Sequence, residues 1–190
     1  MAEEKRWKKI AMIIFLVLIV VGFTIPGFLN NNPDDQAATE PRLCQSDADC
    51  YLLCADAPVT VLCSQNLCQQ NSCTETSLYR FEGTPITFTL WVEVEGREVN
   101  LSKRLDIQNL FVALSTDTAL KIYSSRLDLG TIMEKFNLVL NERCITVDRT
   151  AYCETPEKNL TFWINGERSY QFERYYPQEG DVVEIKYGQP

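Results

Sequence analysis

The sequence predicts an α+β protein in three parts: an N-terminal transmembrane helix, a small disulfide-rich module, and a mixed sheet packed on one main helix. Three observations carry this expectation. An uncharged apolar run fills Ile10 to Leu29, and all eight cysteines lie beyond it. Past the last clustered cysteine, an alternating strand pattern is followed by an apolar stripe at helical spacing.

The apolar run is preceded by Lys5, Arg6, Lys8 and Lys9 against Glu3 and Glu4, and Thr24 is its one clearly polar side chain. A helix of about twenty residues spans roughly 30 Å, the hydrocarbon thickness of a bilayer. A helix also satisfies its own backbone groups there, which lipid cannot do. Trp7 is placed to anchor the near interface, and the basic flank prefers the cytoplasmic side. Residues 1–9 are therefore expected as a cytoplasmic tail, 10–29 as the span and 30–42 as a polar linker. The expected localisation is the cell membrane, single-pass, with the N-terminus cytoplasmic and the C-terminal body extracytoplasmic. A cleaved signal peptide would share the charged start. No A-x-A-like site follows the run closely, and the run is long for a signal core, so an uncleaved anchor is expected. The membrane is then one partner, met through residues 10–29.

The chain has 26 acidic and 18 basic residues, a formal net charge of −8. Such a balance repels phosphate backbones and anionic lipid, so nucleic acid is excluded as a main partner.

Cysteine usage points the same way as the basic flank. Cys44, Cys50, Cys54, Cys63, Cys68 and Cys73 crowd into one segment, and Cys144 and Cys153 stand apart. An even count confined to an exported body is the mark of a disulfide framework, its connectivity within Cys44–Cys73 left open. A segment this short cannot build a sufficient apolar core without covalent help. Zinc sites favour close C-x-x-C pairs, often completed by histidine; this chain has no such pair and no histidine at all. The same lack of C-x-x-C removes the usual low-pKa redox thiol. No metal and no cofactor are expected. The module is placed at 43–76.

The remaining domain is placed at 84–190. Ile86 to Val94 alternates, with Ile86, Phe88, Leu90, Val92 and Val94 on one face, and Glu95-Gly96-Arg97 turns it towards a returning strand at Glu98–Leu101. Ile107, Leu110, Phe111 and Leu114 fit a short helix, with a strand as the alternative. Ala119–Tyr123 reads as a strand. Leu129, Ile132, Met133, Phe136 and Leu140 make one helical stripe, capped by Asp128 or by a capping box over Thr131–Glu134. Leu160–Ile164 is a strand ending at the Asn165-Gly166 turn, and Val182–Tyr187 closes the chain.

Two resemblances rest on these residues. The order hairpin, helix, two strands, with Asn159-Leu-Thr-Phe-Trp-Ile-Asn-Gly166 and Gly180-Asp-Val-Val-Glu-Ile-Lys-Tyr-Gly188, resembles the β-grasp, or ubiquitin-like, fold. It implies a β-grasp-like mixed sheet packed on one main helix. Sulfur-carrier proteins of this fold end in Gly-Gly; this chain ends Tyr187-Gly-Gln-Pro190, so their chemistry does not carry over. The order of helix, cysteines and Asn165-Gly166 is similar to that of membrane-anchored prokaryotic surface proteins, often archaeal. Separately, Cys44-Gln-Ser-Asp-Ala-Asp-Cys50 resembles the opening of small EB or whey-acidic-protein modules. The adjacent Cys-Cys pair of the latter is missing, so protease inhibition does not carry over either.

No catalytic constellation is found. Histidine, the commonest general base, is absent, as are nucleophile-elbow, phosphate-loop and zinc-protease motifs. Glu93 and Glu95 share a strand face, where a solvated hairpin explains them. The aromatics of the last quarter offer a candidate binding surface: Trp163, Tyr170, Tyr175 and Tyr176. Against it stands the ordinary use of aromatics to fill a small sheet's core. Trp163 alternates against Phe162 and Ile164 and should face outward. Asn100-Leu-Ser102 and Asn159-Leu-Thr161 are candidate glycosylation sites. The expected function is that of a membrane-anchored extracytoplasmic binding or assembly protein without catalytic activity, with a protein partner. The alternatives are an accessory subunit of a membrane complex and a thiol-exchange or glycan-active enzyme.

Overall fold

The structure, a computed structural model, describes residues 40–189 together with Met12. From Glu40 onward the chain forms one compact unit.

The cysteine-rich segment opens with a 3-10 turn at Asp47–Cys50. Two small antiparallel hairpins follow: β1 (Leu52–Cys54) with β2 (Ala57–Val59), then β3 (Cys63–Ser64) with β4 (Leu67–Cys68). The longer strands come next: β5 (Ile86–Val94), β6 (Arg97–Glu98), β7 (Val112–Leu114) and β8 (Ala119–Ile122). Helix α1 is Leu129–Glu134. β9 (Val139–Leu140), β10 (Cys144–Val147) and β11 (Thr150–Cys153) form a three-stranded sheet. β12 (Asn159–Ile164), β13 (Glu167–Ser169) and β14 (Val182–Gly188) complete the chain.

The main sheet runs β13-β12-β14-β5-β8-β7, with β6 also paired to β5. β14 lies parallel to β5, and every other pairing in it is antiparallel. Two residues link the partners of each of five hairpins, and both carry positive φ. They are Ala55-Asp56, Gln65-Asn66, Glu95-Gly96, Asp148-Arg149 and Asn165-Gly166. That geometry twists with the strands, whereas the commoner turns would splay them.

One face of the main sheet is dry. Phe88, Leu90, Val92 and Val94 of β5, Leu120 and Ile122 of β8, Leu160 and Phe162 of β12, and Val183, Ile185 and Tyr187 of β14 all point into one core. Phe162 stacks on Phe172 with ring centroids 5.4 Å apart. The alternation anticipated for Ile86–Val94 is observed, with Ile86 only partly covered.

The fold class needs correction. The chain is mostly sheet with one six-residue α-helix among the described residues, and no main helix packs on the sheet. Asp128 does cap α1, its Oδ1 accepting from the Thr131 amide at 2.8 Å. The helical stripe to Leu140 is cut at Asn137, which adopts φ +56. There the Asn137 amide donates to the Glu134 carbonyl and the Leu138 amide to that of Met133. This is a Schellman ending, sealed by two buried side chains, Met133 and Leu138. Leu140 is buried as expected, but from strand β9, because a period of 3.6 and a turn followed by a strand place it on the same side. Residues 107–110 form a turn, leaving Ile107 exposed, and only Val112–Leu114 is extended.

The single-pass membrane localisation is also corrected. Among the described residues no helix is long and apolar enough to cross a membrane. Helix α1 would extend only about 9 Å at the usual rise. The expected tail at 1–9 and span at 10–29 lie outside the described residues except for Met12, as does the linker up to Thr39.

Candidate functional site

The cysteines form four disulfides: Cys44–Cys63, Cys50–Cys68, Cys54–Cys73 and Cys144–Cys153. None is free. Within the cluster, first pairs with fourth, second with fifth and third with sixth. Three sulfurs, of Cys44, Cys50 and Cys68, lie within 4.8 Å of one another, a spacing a metal could use. Each is bridged, however, and a metal ligand must be a thiolate. Cys144 and Cys153 sit directly opposite each other on β10 and β11, so the bridge staples a hairpin rather than an irregular loop.

The segment is fastened to the sheet by charge as well as by sulfur. Asp47 is fully buried. Its Oδ1 accepts from Lys135 Nζ at 2.7 Å and from the Cys63 amide at 2.9 Å. Its Oδ2 accepts from the amides of Leu110 and Phe111 at 2.8 and 3.1 Å. Lys135 also donates to the Cys63 carbonyl at 2.5 Å. Beside it, Glu134 accepts from Ser64 Oγ and from the Gln65 amide. Four donors on one carboxylate satisfy it fully, which is what a buried charge requires. This cluster is structural, since the Asp47 carboxylate is buried and all its donors come from within the fold.

The surface that remains open is the other face of the main sheet. Strand alternation that buries Phe162 turns Trp163 outward, and the alternation that buries Leu90 and Val92 does the same to Trp91. Register then aligns them. Trp91 on β5 pairs with Glu184 on β14, Glu184 pairs with Trp163 on β12, and Trp163 pairs with Arg168 on β13. The next row holds Glu93, Lys186 and Thr161. Trp91 is 42% exposed and Trp163 is half-buried. A hollow of about 770 Å³ opens beside Trp163, with Glu93, Lys158, Thr161, Arg168 and Lys186 among its walls. A smaller one of about 330 Å³ opens beside Trp91, with Glu98 and Glu184.

Two ion pairs lie on this face. Lys186 donates to Glu184, and Lys158 donates to Glu95. The hydrogen bond from its ammonium to Glu95, helped by the attraction between them, holds Lys158 above its ordinary pKa. Arg168 lies over the Tyr170 ring, 5.4 Å from its centroid.

The four aromatics singled out from sequence do not stay together. Trp163 lines the face, and Tyr170, 69% exposed, borders it through Arg168. Tyr175 packs against the core beside Phe162 and donates its hydroxyl to Asp181. Burial, then that hydrogen bond and the adjacent carboxylate charge, push its phenol far above the usual value. Tyr176 is exposed but lines neither hollow. Trp91 is a surface residue beyond those four, turned outward by the β5 alternation. Glu93 and Glu95 both line the larger hollow, but Glu95 belongs to the turn and is bound to Lys158.

Both sequon asparagines are exposed, in different settings. Asn100 lies in the segment after β6 and its Oδ1 accepts from Ser102 Oγ at 2.8 Å. Asn159 begins β12, where the Thr161 hydroxyl donates instead to the Lys186 carbonyl.

Comparison of the chain with protein-family models, with curated proteins and with solved structures finds no match.

Proposed function

We propose that the chain is an exported binding or assembly protein without catalytic activity, which takes its partner on the open face of the main sheet. The observation that carries this is the aligned row Trp91–Glu184–Trp163–Arg168 on a face that stays accessible among the described residues. Half-exposed indoles are costly to leave in water and supply much contact energy when covered. Export is supported by four disulfides, which persist in oxidising compartments. The absence of catalysis is supported by the lack of histidine and by the pairing of Lys158 with Glu95 and of Lys186 with Glu184.

A photo-crosslinking amino acid at Thr161 tests the reading, with Val139, exposed on β9, as the control position. Introduced in source cells, the Thr161 probe is expected to give a discrete adduct and the Val139 probe none. Adducts at Val139 alone would sink the proposal.

A further inference from the structure

The ligand class can be narrowed from the way the two indoles are separated. We propose that the open face binds a neutral oligosaccharide laid across the strands, one sugar ring on Trp91 and another on Trp163. This rests on the binding-face reading above.

Trp91 and Trp163 pair with the same residue, Glu184, from opposite sides. Neighbouring strands are about 5 Å apart, so the indoles start about 10 Å apart on one face. That span suits alternate rings of an extended glycan. A pyranose ring has an apolar C–H face and a rim of hydroxyls. The C–H face is suited to the electron-rich face of an indole. The hydroxyls are suited to charged and polar side chains that offer both donors and acceptors.

What lies between the indoles decides against other occupants. Glu184 occupies the middle of the row, joined to Lys186 of the next row. A protein partner would seal this ion pair into a dry interface core, where stripping its water costs more than the pair regains. A glycan would not dry it, because sugar hydroxyls replace the lost water. A charged ligand is disfavoured too. Glu95 with Lys158 and Glu184 with Lys186 form ion pairs, and Glu93 and Arg168 add one further charge of each sign. The face therefore has little net pull on either sign of charge, although the chain as a whole is acidic. Thr161 and the Glu93 carboxylate, in the row beside the indoles, complete the polar floor.

The test is a titration of the full chain with neutral linear hexasaccharides of glucose, mannose, xylose and N-acetylglucosamine. It is followed by tryptophan fluorescence and, on isotope-labelled protein, by amide shifts. At least one sugar is expected to saturate the signal, with the shifting amides clustered on Thr161, Glu184 and Lys186. Trp91→Ala and Trp163→Ala should each weaken binding about tenfold or more. Raising the salt about tenfold should change the affinity less than about twofold, as for an uncharged ligand. No saturable response to any of the four sugars would overturn the inference, as would an affinity indifferent to both substitutions. Amide shifts on the unsubstituted chain keep the test decisive even if one variant folds poorly. A protein adduct at Thr161 combined with no sugar response would remove the glycan and leave the binding face standing. Adducts confined to Val139 would remove both.

Discussion

The segment Cys44–Cys73 and the main sheet are held together by different means. The first buries a small cluster, Cys44, Cys50, Val61, Cys63 and Cys68, made largely of its own disulfide sulfur. The second buries an extensive core that includes Phe88, Phe111, Phe136 and Phe162. Yet the two are not independent: Leu62 of the segment sits in the sheet's core, and Asp47 reaches Lys135 beyond α1. A region too short to bury enough apolar surface thus uses covalent bonds internally and one buried ion pair externally. A region with enough apolar surface needs neither, apart from the single staple on β10 and β11.

The sharpest way to break this comparison is to cut the tie. Asp47→Ala leaves the Lys135 ammonium buried without its carboxylate and strands the amides of Cys63, Leu110 and Phe111. A loss of about 3–5 kcal/mol is expected in urea unfolding, since a buried charge deprived of its partner is costly. A loss below about 1 kcal/mol would show that the pair does not fasten the segment. Phe162→Ala tests the apolar side. It opens a cavity beside Phe172 and Tyr175 and should cost about 3–5 kcal/mol, with the whole sheet unfolding in one transition.

Removing the Cys54–Cys73 bridge by paired alanines should cost about 3 kcal/mol, given its sequence separation of 19. Hydrogen exchange should then quicken in residues 50–73 while β5, β12 and β14 stay protected. Uniform loss of protection would mean that the two regions unfold as one.

A pH test bears on the sheet region alone. Burial raises the Asp181 carboxyl, but hydrogen bonds from Tyr175, Asn165 and the Gln178 amide outweigh this and hold it below its ordinary value. A depressed folded-state pKa stabilises above the unfolded value of about 3.9 and stops doing so as pH falls through the lower folded value. Asp181→Asn should therefore lower the melting temperature near neutrality, and the gap from the native chain should close as the pH falls below the ordinary aspartate range. A gap that stays constant would remove the ionised carboxylate as its cause. The smallest effect belongs to Lys158→Ala. Its pairing with Glu95 is solvated on the surface, so the urea midpoint should not move measurably.

How much of this was readable before folding depends on the range of each interaction. Strands β5, β12 and β14 followed from alternation, the Asn165-Gly166 turn from its residues, and the Asp128 cap from its position before an apolar stripe. The outward Trp163 was readable too. The short helix was not, because Leu140 satisfies a helical period and a returning strand equally well, and Asn137 alone marks the break. Ala55-Asp56 and Asp148-Arg149 turn as tightly as Asn-Gly without its residue signature. The Asp47–Lys135 pair joins residues 88 apart in sequence, and no local pattern announces it.

By itself, the sequence determined which residues alternate, two candidate starts for one helix, and that eight cysteines must be accommodated. Those are properties of neighbours along the chain, set by backbone period and by the side chains that favour caps and turns. Only the tertiary structure decided which sulfurs join and that β14 lies parallel to β5. It also decided where the helix ends, and that Trp91 and Trp163 flank one glutamate. These depend on register between segments distant in sequence, which the simultaneous burial of a whole core selects.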